Sequence, residues 1–141
     1  MKVKRVLRYY CEFCKKSGGG KAAMIKHEEH CTMNPNRICG LCNGVYTDAD
    51  LPDMIALLPD PEEYQDEDAT GKWYTPMLTT DANVALGKIR ELTECPACIL
   101  SAIRQRGIPV PVVSDFNYKK ESEAYLSERD NEPEREVYYG I

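Results

Sequence analysis

The 141-residue sequence predicts a small α+β fold, mostly helical, and three observations carry that reading. Apolar residues recur at helical spacing over 81–94 and again over 96–106. Large core side chains are scarce, with two Phe and one Trp against nine Tyr. Seven Cys fall largely into Cys-x-x-Cys pairs, the arrangement by which a metal supplies the cross-linking that a thin apolar core lacks. The fold is therefore expected to be zinc-stabilised.

Residues 1–8 read as a short strand or arm, Met1-Lys2-Val3-Lys4-Arg5-Val6-Leu7-Arg8, too charged for a secretory leader. No apolar run approaches a membrane span, so an intracellular setting, cytoplasmic or nucleoid/nuclear, is expected. Thiols stay reduced there, and clustered Cys are more often metal ligands than disulfides.

Cys11-x-x-Cys14, twelve residues, His27, three residues and Cys31 have metal-site spacing. A two-residue gap lets one knuckle aim both sulfurs at one ion. His27 and Cys31 stand one helical turn apart and share a face. His30 competes with Cys31 for the fourth position. Cys31 is favoured because the four-residue step keeps to that face. A redox pair is the alternative reading of Cys11 and Cys14.

Residues 9–31 resemble the ββα zinc-finger family, in the variant whose last ligand is Cys. Tyr9 stands at that family's aromatic position before the first Cys, and Met24 at its apolar position before the His. Gly18 departs from the pattern, since the family carries Phe there; Phe13 or Ile25 is expected to fill the gap. The resemblance implies a helix that can enter the DNA major groove with Gly20, Ala23 and Lys26 facing the bases. Only Lys26 could make a polar side-chain contact, so little sequence specificity is expected. Lys4, Arg5, Arg8, Lys15, Lys16, Lys21 and Lys26 are the candidate phosphate contacts.

Thr32 to Arg37 is a turn-rich link. Cys39-Gly40-Leu41-Cys42 is a second knuckle, with Gly44 relieving the turn after it. Its partner pair is Cys95-Pro96-Ala97-Cys98 at a helix start, where free N–H groups favour thiolates. This layout resembles a treble-clef or ribbon-type site with a long insertion. Four sulfurs close the site, which marks its ion as structural.

Between those pairs, Leu51 to Leu58 reads as a short helix capped by Asp50 and stopped by Pro59. Residues 59–71 carry six acids and no base and read as a solvated loop. Asp66-x-Asp68-x-Thr70-Gly71 imitates a calcium loop only in part, because Met77 stands where the bidentate Glu belongs. Trp73 and Tyr74 are expected to return to the core. Asp81 is read as capping a helix with Val84, Ala85, Leu86, Ile89 and Leu92 as its stripe. After the helix over 96–106, Gly107 is a stop and 109–113 should be extended. A helix is expected over 119–129, followed by a loose end.

The domain reading is a basic arm and Cys-Cys-His-Cys finger over 1–37, a four-cysteine helical domain over 38–113, and an acidic, partly helical or disordered tail over 114–141. Net charge is +6 over 1–46 and −11 over the rest. With both His inside the first cluster and two closed sites, catalysis and a small-molecule substrate are not expected. The expected function is non-enzymatic binding through the basic finger, to nucleic acid or nucleoprotein. The alternative is a protein-interaction adaptor or inhibitor, of the kind found among small viral or mobile-element regulators, acting through the acidic body and tail.

Overall fold

The computed structural model describes residues 1–42, 51–68 and 71–130, with the backbone alone at 129–130. The expected roles of Gly44 and Asp50, and the expected loose end beyond residue 130, lie outside the described residues. The elements are β1 (Tyr9–Tyr10), β2 (Ser17–Gly18), α1 (Lys21–His30), α2 (Leu51–Leu57), β3 (Gln65–Asp68), β4 (Gly71–Tyr74), α3 (Pro76–Leu92), α4 (Pro96–Arg106) and α5 (Tyr118–Asp130). Both sheets are two-stranded antiparallel hairpins, β1–β2 and β3–β4. No described helix is long and apolar enough to cross a membrane.

The core of the body lies among α2, α3 and α4, with α5 against α4. Met54 and Leu58 from the α2 segment meet Leu86 and Ile89 of α3 and Ile99, Ala102 and Ile103 of α4 in one buried cluster. The buried stripe of α3 is Leu78, Ala82, Ala85, Leu86 and Ile89, which follows helical spacing from its first turn. Val84 and Leu92, expected on that stripe, are exposed instead.

At about 100° per residue Val84 falls across α3 from that stripe, and α3 also begins earlier than expected. Thr75 is its extended N-cap and Pro76 opens it, because the ring presets φ and the missing N–H is one a first turn does not need. Asp81 is therefore no cap. It accepts a 2.5 Å hydrogen bond from the Tyr64 hydroxyl, and that bond raises the Tyr64 pKa above the ordinary phenol value.

The acidic stretch is not a loop. Pro61–Tyr64 form a 3₁₀ turn capped by Asp60, and 65–68 then pair with β4. Glu67 faces Lys72 across the strands, Trp73 donates from Nε1 to Asp68 at 3.2 Å, and Gly71 takes φ +126° at the turn. Cross-strand pairing of opposite charges offsets the poor strand propensity of the acids. Trp73 is 42% exposed and Tyr74 half-buried, so neither returns to the core.

Gly107 adopts φ +87° and closes α4, as a left-handed glycine cap should. Residues 110–112 form a 3₁₀ turn and not the extended run expected. The prolines hold φ near −60°, which suits a 3₁₀ turn as well as an extended chain, and burial of Ile108, Val113 and Phe116 selects the tighter path. The helix expected over 119–129 is α5, and residues 114–130 dock on the body. Phe116 is buried, Tyr125 packs on the core, and Glu121 pairs with Arg90 at 2.8 Å. Asn117 and Glu121 cap α5 reciprocally, through Lys120 N–H to Asn117 Oδ1 and Asn117 N–H to Glu121 Oε2.

The link after α1 is clamped onto α4. Ser101, fully buried, donates to the Thr32 carbonyl at 2.6 Å. Gln105 Nε2 reaches the carbonyls of Thr32 and Asn34 at 2.9 and 3.0 Å, and Arg104 donates to Thr32 Oγ1. On its other side the link satisfies the end of α1: Asn34 Nδ2 donates to the Glu28 carbonyl, Ile38 N–H to Glu29, and Arg37 Nε to His30. Gln105→Ala is expected to cost about 1–3 kcal/mol, because two link carbonyls lose a donor. Urea unfolding reads the cost, and faster amide exchange over 32–38 locates it. Unchanged exchange there would mean that the clamp does not hold the link.

Candidate metal centres

In the N-terminal unit the β1–β2 hairpin pairs Tyr9 with Gly18 and Tyr10 with Ser17. Cys11 N–H donates to the Lys16 carbonyl at 2.9 Å, which folds the knuckle so that Cys11 and Cys14 face α1. Helix α1 contributes His27, and Cys31 is its C-cap. The ligand atoms of Cys11, Cys14, His27 and Cys31 all lie within 4.8 Å of one another. Cys14 Sγ stands 3.3 Å from His27 Nε2.

His30 is turned elsewhere. Its Nδ1 lies 2.7 Å from the Ile38 carbonyl, so the ring donates there and ties the link to the helix. The tertiary contact thus resolves the competition with Cys31. Met24 is buried against Cys11 and Cys31, with Tyr9, Phe13 and Met33 packed around them. Phe13 packs on this cluster, as expected, whereas Ile25 is 52% exposed because it sits one residue, about 100°, around the helix from Met24. A Cβ built at Gly18 meets nothing within 4 Å. Gly18→Val is accordingly expected to stabilise the finger by about 0.5–1 kcal/mol, since it removes unfolded-state freedom without a clash. A chelator titration of the finger's metal should read the gain as tighter retention; weaker retention would show the pocket to be closed.

The second cluster lies inside the main core. The ligand atoms of Cys39, Cys42, Cys95 and Cys98 also lie within 4.8 Å of one another, and all four residues are buried. Cys39 Sγ is 3.5 Å from Cys95 Sγ, and Cys42 Sγ is 3.6 Å from Cys98 Sγ. Cys95 is the N-cap of α4 and Cys98 lies in its first turn, so both sulfurs sit where a helix presents unsatisfied N–H groups. The buried Thr93 accepts the Cys95 N–H at 3.1 Å and holds that corner, a role the sequence reading missed. Its signal was a hydroxyl two residues before the helix cap.

Both clusters fit one ion each. A tetrahedral ion with metal–sulfur bonds of about 2.3 Å spaces its sulfurs about 3.8 Å apart, and a sulfur and a ring nitrogen about 3.5 Å apart. The observed 3.3–3.6 Å pairs lie close to that spacing, and all seven cysteines are free thiols. Backbone N–H groups support the sulfurs from outside: Phe13 to Cys11, Lys16 to Cys14 and Cys42 to Cys39, each at 3.4 Å.

Electrostatics within the clusters point the same way. The Cys39 thiol is driven well below its ordinary pKa by hydrogen bonds from Cys95 and then Cys98. The same bonds drive Cys95 far up, and Cys98 is pushed up to about 12, chiefly by Cys39. Burial works against the Cys11 thiolate, but the N–H groups of Phe13 and Cys14 outweigh it and the pKa falls; burial raises Cys31. Three or four close sulfurs ionise together only around a cation, so these two clusters define a Cys/His protein able to hold two metal ions.

Lys4, Arg5, Arg8, Lys15, Lys16, Lys21 and Lys26 are all exposed on the arm, knuckle and α1. None is ion-paired among the described residues; Arg8 alone has a fixed contact, from Nε to Ser17 Oγ at 3.2 Å. No family model matches the chain, and no curated protein or solved structure matches it.

Proposed function

We propose that the chain is a non-enzymatic protein holding two structural zinc ions, whose finger face binds nucleic acid or nucleoprotein with little sequence specificity. Zinc suits both donor sets, three thiolates with an imidazole and four thiolates, and would act there as a cross-link. Four protein ligands leave a tetrahedral ion no open position. The second His is committed to the Ile38 carbonyl, so no imidazole remains for general base work.

The observation that carries the binding half is the set of seven exposed cations on one small unit, none of them ion-paired among the described residues. Glu12 is the one acid in the first 27 residues. The helix positions that would face bases, Gly20, Ala23 and Lys26, are exposed, but the first two offer no polar side chain. Phosphate attraction without base reading is the consequence.

The test is metal analysis of protein purified under reducing conditions, followed by binding to DNA and RNA over a salt series. Two zinc per chain and affinity that falls steeply with salt are expected. The charge-reversed pair Lys15→Glu and Lys16→Glu should flatten that salt slope while both zinc ions stay bound. Flat binding at low salt would remove the nucleic-acid half. A protein partner would then be the better reading, and the exposed Trp73, Met77 and Val84 of the hairpin and α3 are where it would dock.

A further inference from the structure

Tyr10 is the feature of the finger that neither metal binding nor phosphate attraction explains. In β1 the two tyrosines alternate: Tyr9 packs on the finger core and Tyr10 points the other way, 66% exposed. Its ring and hydroxyl have no partner among the described residues. Arg8, two residues earlier, shares its face, and its guanidinium is anchored by Ser17, the residue paired with Tyr10. Lys15 and Lys16 lead into that strand on the same hairpin. The hairpin is short and pinned by the Cys11–Lys16 bond, so the ring is carried on a rigid base.

An exposed aromatic ring beside an anchored guanidinium and a run of lysines combines a stacking surface with phosphate contacts. A duplex hides its base faces within the stack, whereas an unpaired strand offers them. We infer that the finger prefers single-stranded nucleic acid, with Tyr10 stacking on an unpaired base while Arg8, Lys15 and Lys16 hold the adjoining phosphates. This rests on the nucleic-acid reading above and names the form of nucleic acid that the same face selects.

The experiment uses the full, zinc-loaded chain with a labelled oligothymidylate and a duplex of equal length, in parallel salt series. The single strand is expected to bind more tightly. Tyr10→Ala should weaken single-strand binding about tenfold, leave duplex binding unchanged and keep both zinc ions. Tyr10→Phe should restore the affinity and Tyr10→Leu should not, because the ring and not mere apolar bulk is required. A second readout places the only indole at this position: Tyr10→Trp in a Trp73→Phe background should be quenched by the single strand and not by the duplex. Equal affinity for both forms, or a Tyr10→Ala variant that loses neither or both equally, overturns the inference and leaves the nucleic-acid reading standing. Absence of salt-sensitive binding to either form by the unaltered protein overturns that reading itself.

Discussion

Replacing Cys98 by Ser is expected to unfold the helical body and reduce the bound metal from two ions to one. Cys98 lies in the first turn of α4, with Cys42 Sγ 3.6 Å away, and its cluster is continuous with the core formed by Leu86, Ile89, Ile99 and Ile103. A structural zinc site contributes on the order of 10–16 kcal/mol to folding at neutral pH. A small domain has only about 5–15 kcal/mol of net stability. Loss of this site therefore exceeds what the modest core supplies, and the helical circular dichroism signal should fall together with the metal. A cooperative melt that survives with one zinc gone would refute the structural role. Acid should act in the same direction. A metal ion binding there must displace the protons of Cys95 and of Cys98, whose pKa is pushed up to about 12, so affinity should rise with pH and be lost as pH falls. The four-thiol site should show a steeper pH dependence than the finger, which has three thiols to deprotonate.

The second large effect separates two neighbours in α1 and its cap. Cys31→Ala is expected to abolish metal binding by the finger, and His30→Ala to leave it in place. Cys31 is buried within ligand distance of Cys11, Cys14 and His27, whereas the His30 ring bonds the Ile38 carbonyl at 2.7 Å. Losing that bond should cost about 1 kcal/mol and loosen the link into Cys39 without removing a ligand. Cobalt substitution gives the readout, because its absorption in the visible reports coordination number and thiolate count. A cobalt spectrum altered by His30→Ala and unchanged by Cys31→Ala would reverse the assignment. The body should keep its helical signal in both variants, since the core of α2, α3 and α4 does not include the finger cluster.

The sequence read most clearly where chemistry demands strict spacing. Cysteine pairs two residues apart and a His–Cys step of one helical turn are constrained by the size of an ion, and those are the residues the fold gathers. Helix α4 was legible for a related reason: a proline start and a glycine stop frame a continuous apolar pattern. The acidic hairpin was not legible, because three successive acids, Asp66 to Asp68, argue against a strand and its stabilisation comes from cross-strand partners, Lys72 opposite Glu67 and Trp73 on Asp68. Composition records the acids and not which residue faces them.

The same division runs through the whole molecule. Seven of the eight candidate ligands and the separation of a basic finger from an acidic body were set by residue type and local period alone. The choice between His30 and Cys31 depended on a carbonyl eight residues further along the chain. The role of Asp81, a partner of Tyr64 inside α3 and not its cap, and the docking of residues 114–130 on a core that accepts Phe116 and Tyr125 were likewise decided by distant contacts. The outward Tyr10 acquired meaning only when β-pairing placed it beside an anchored Arg8. Local spacing determines what a short segment can chelate or bury. Which of two equivalent groups does so is decided by partners distant in sequence, through hydrogen bonds and packing that exist only once the chain has closed.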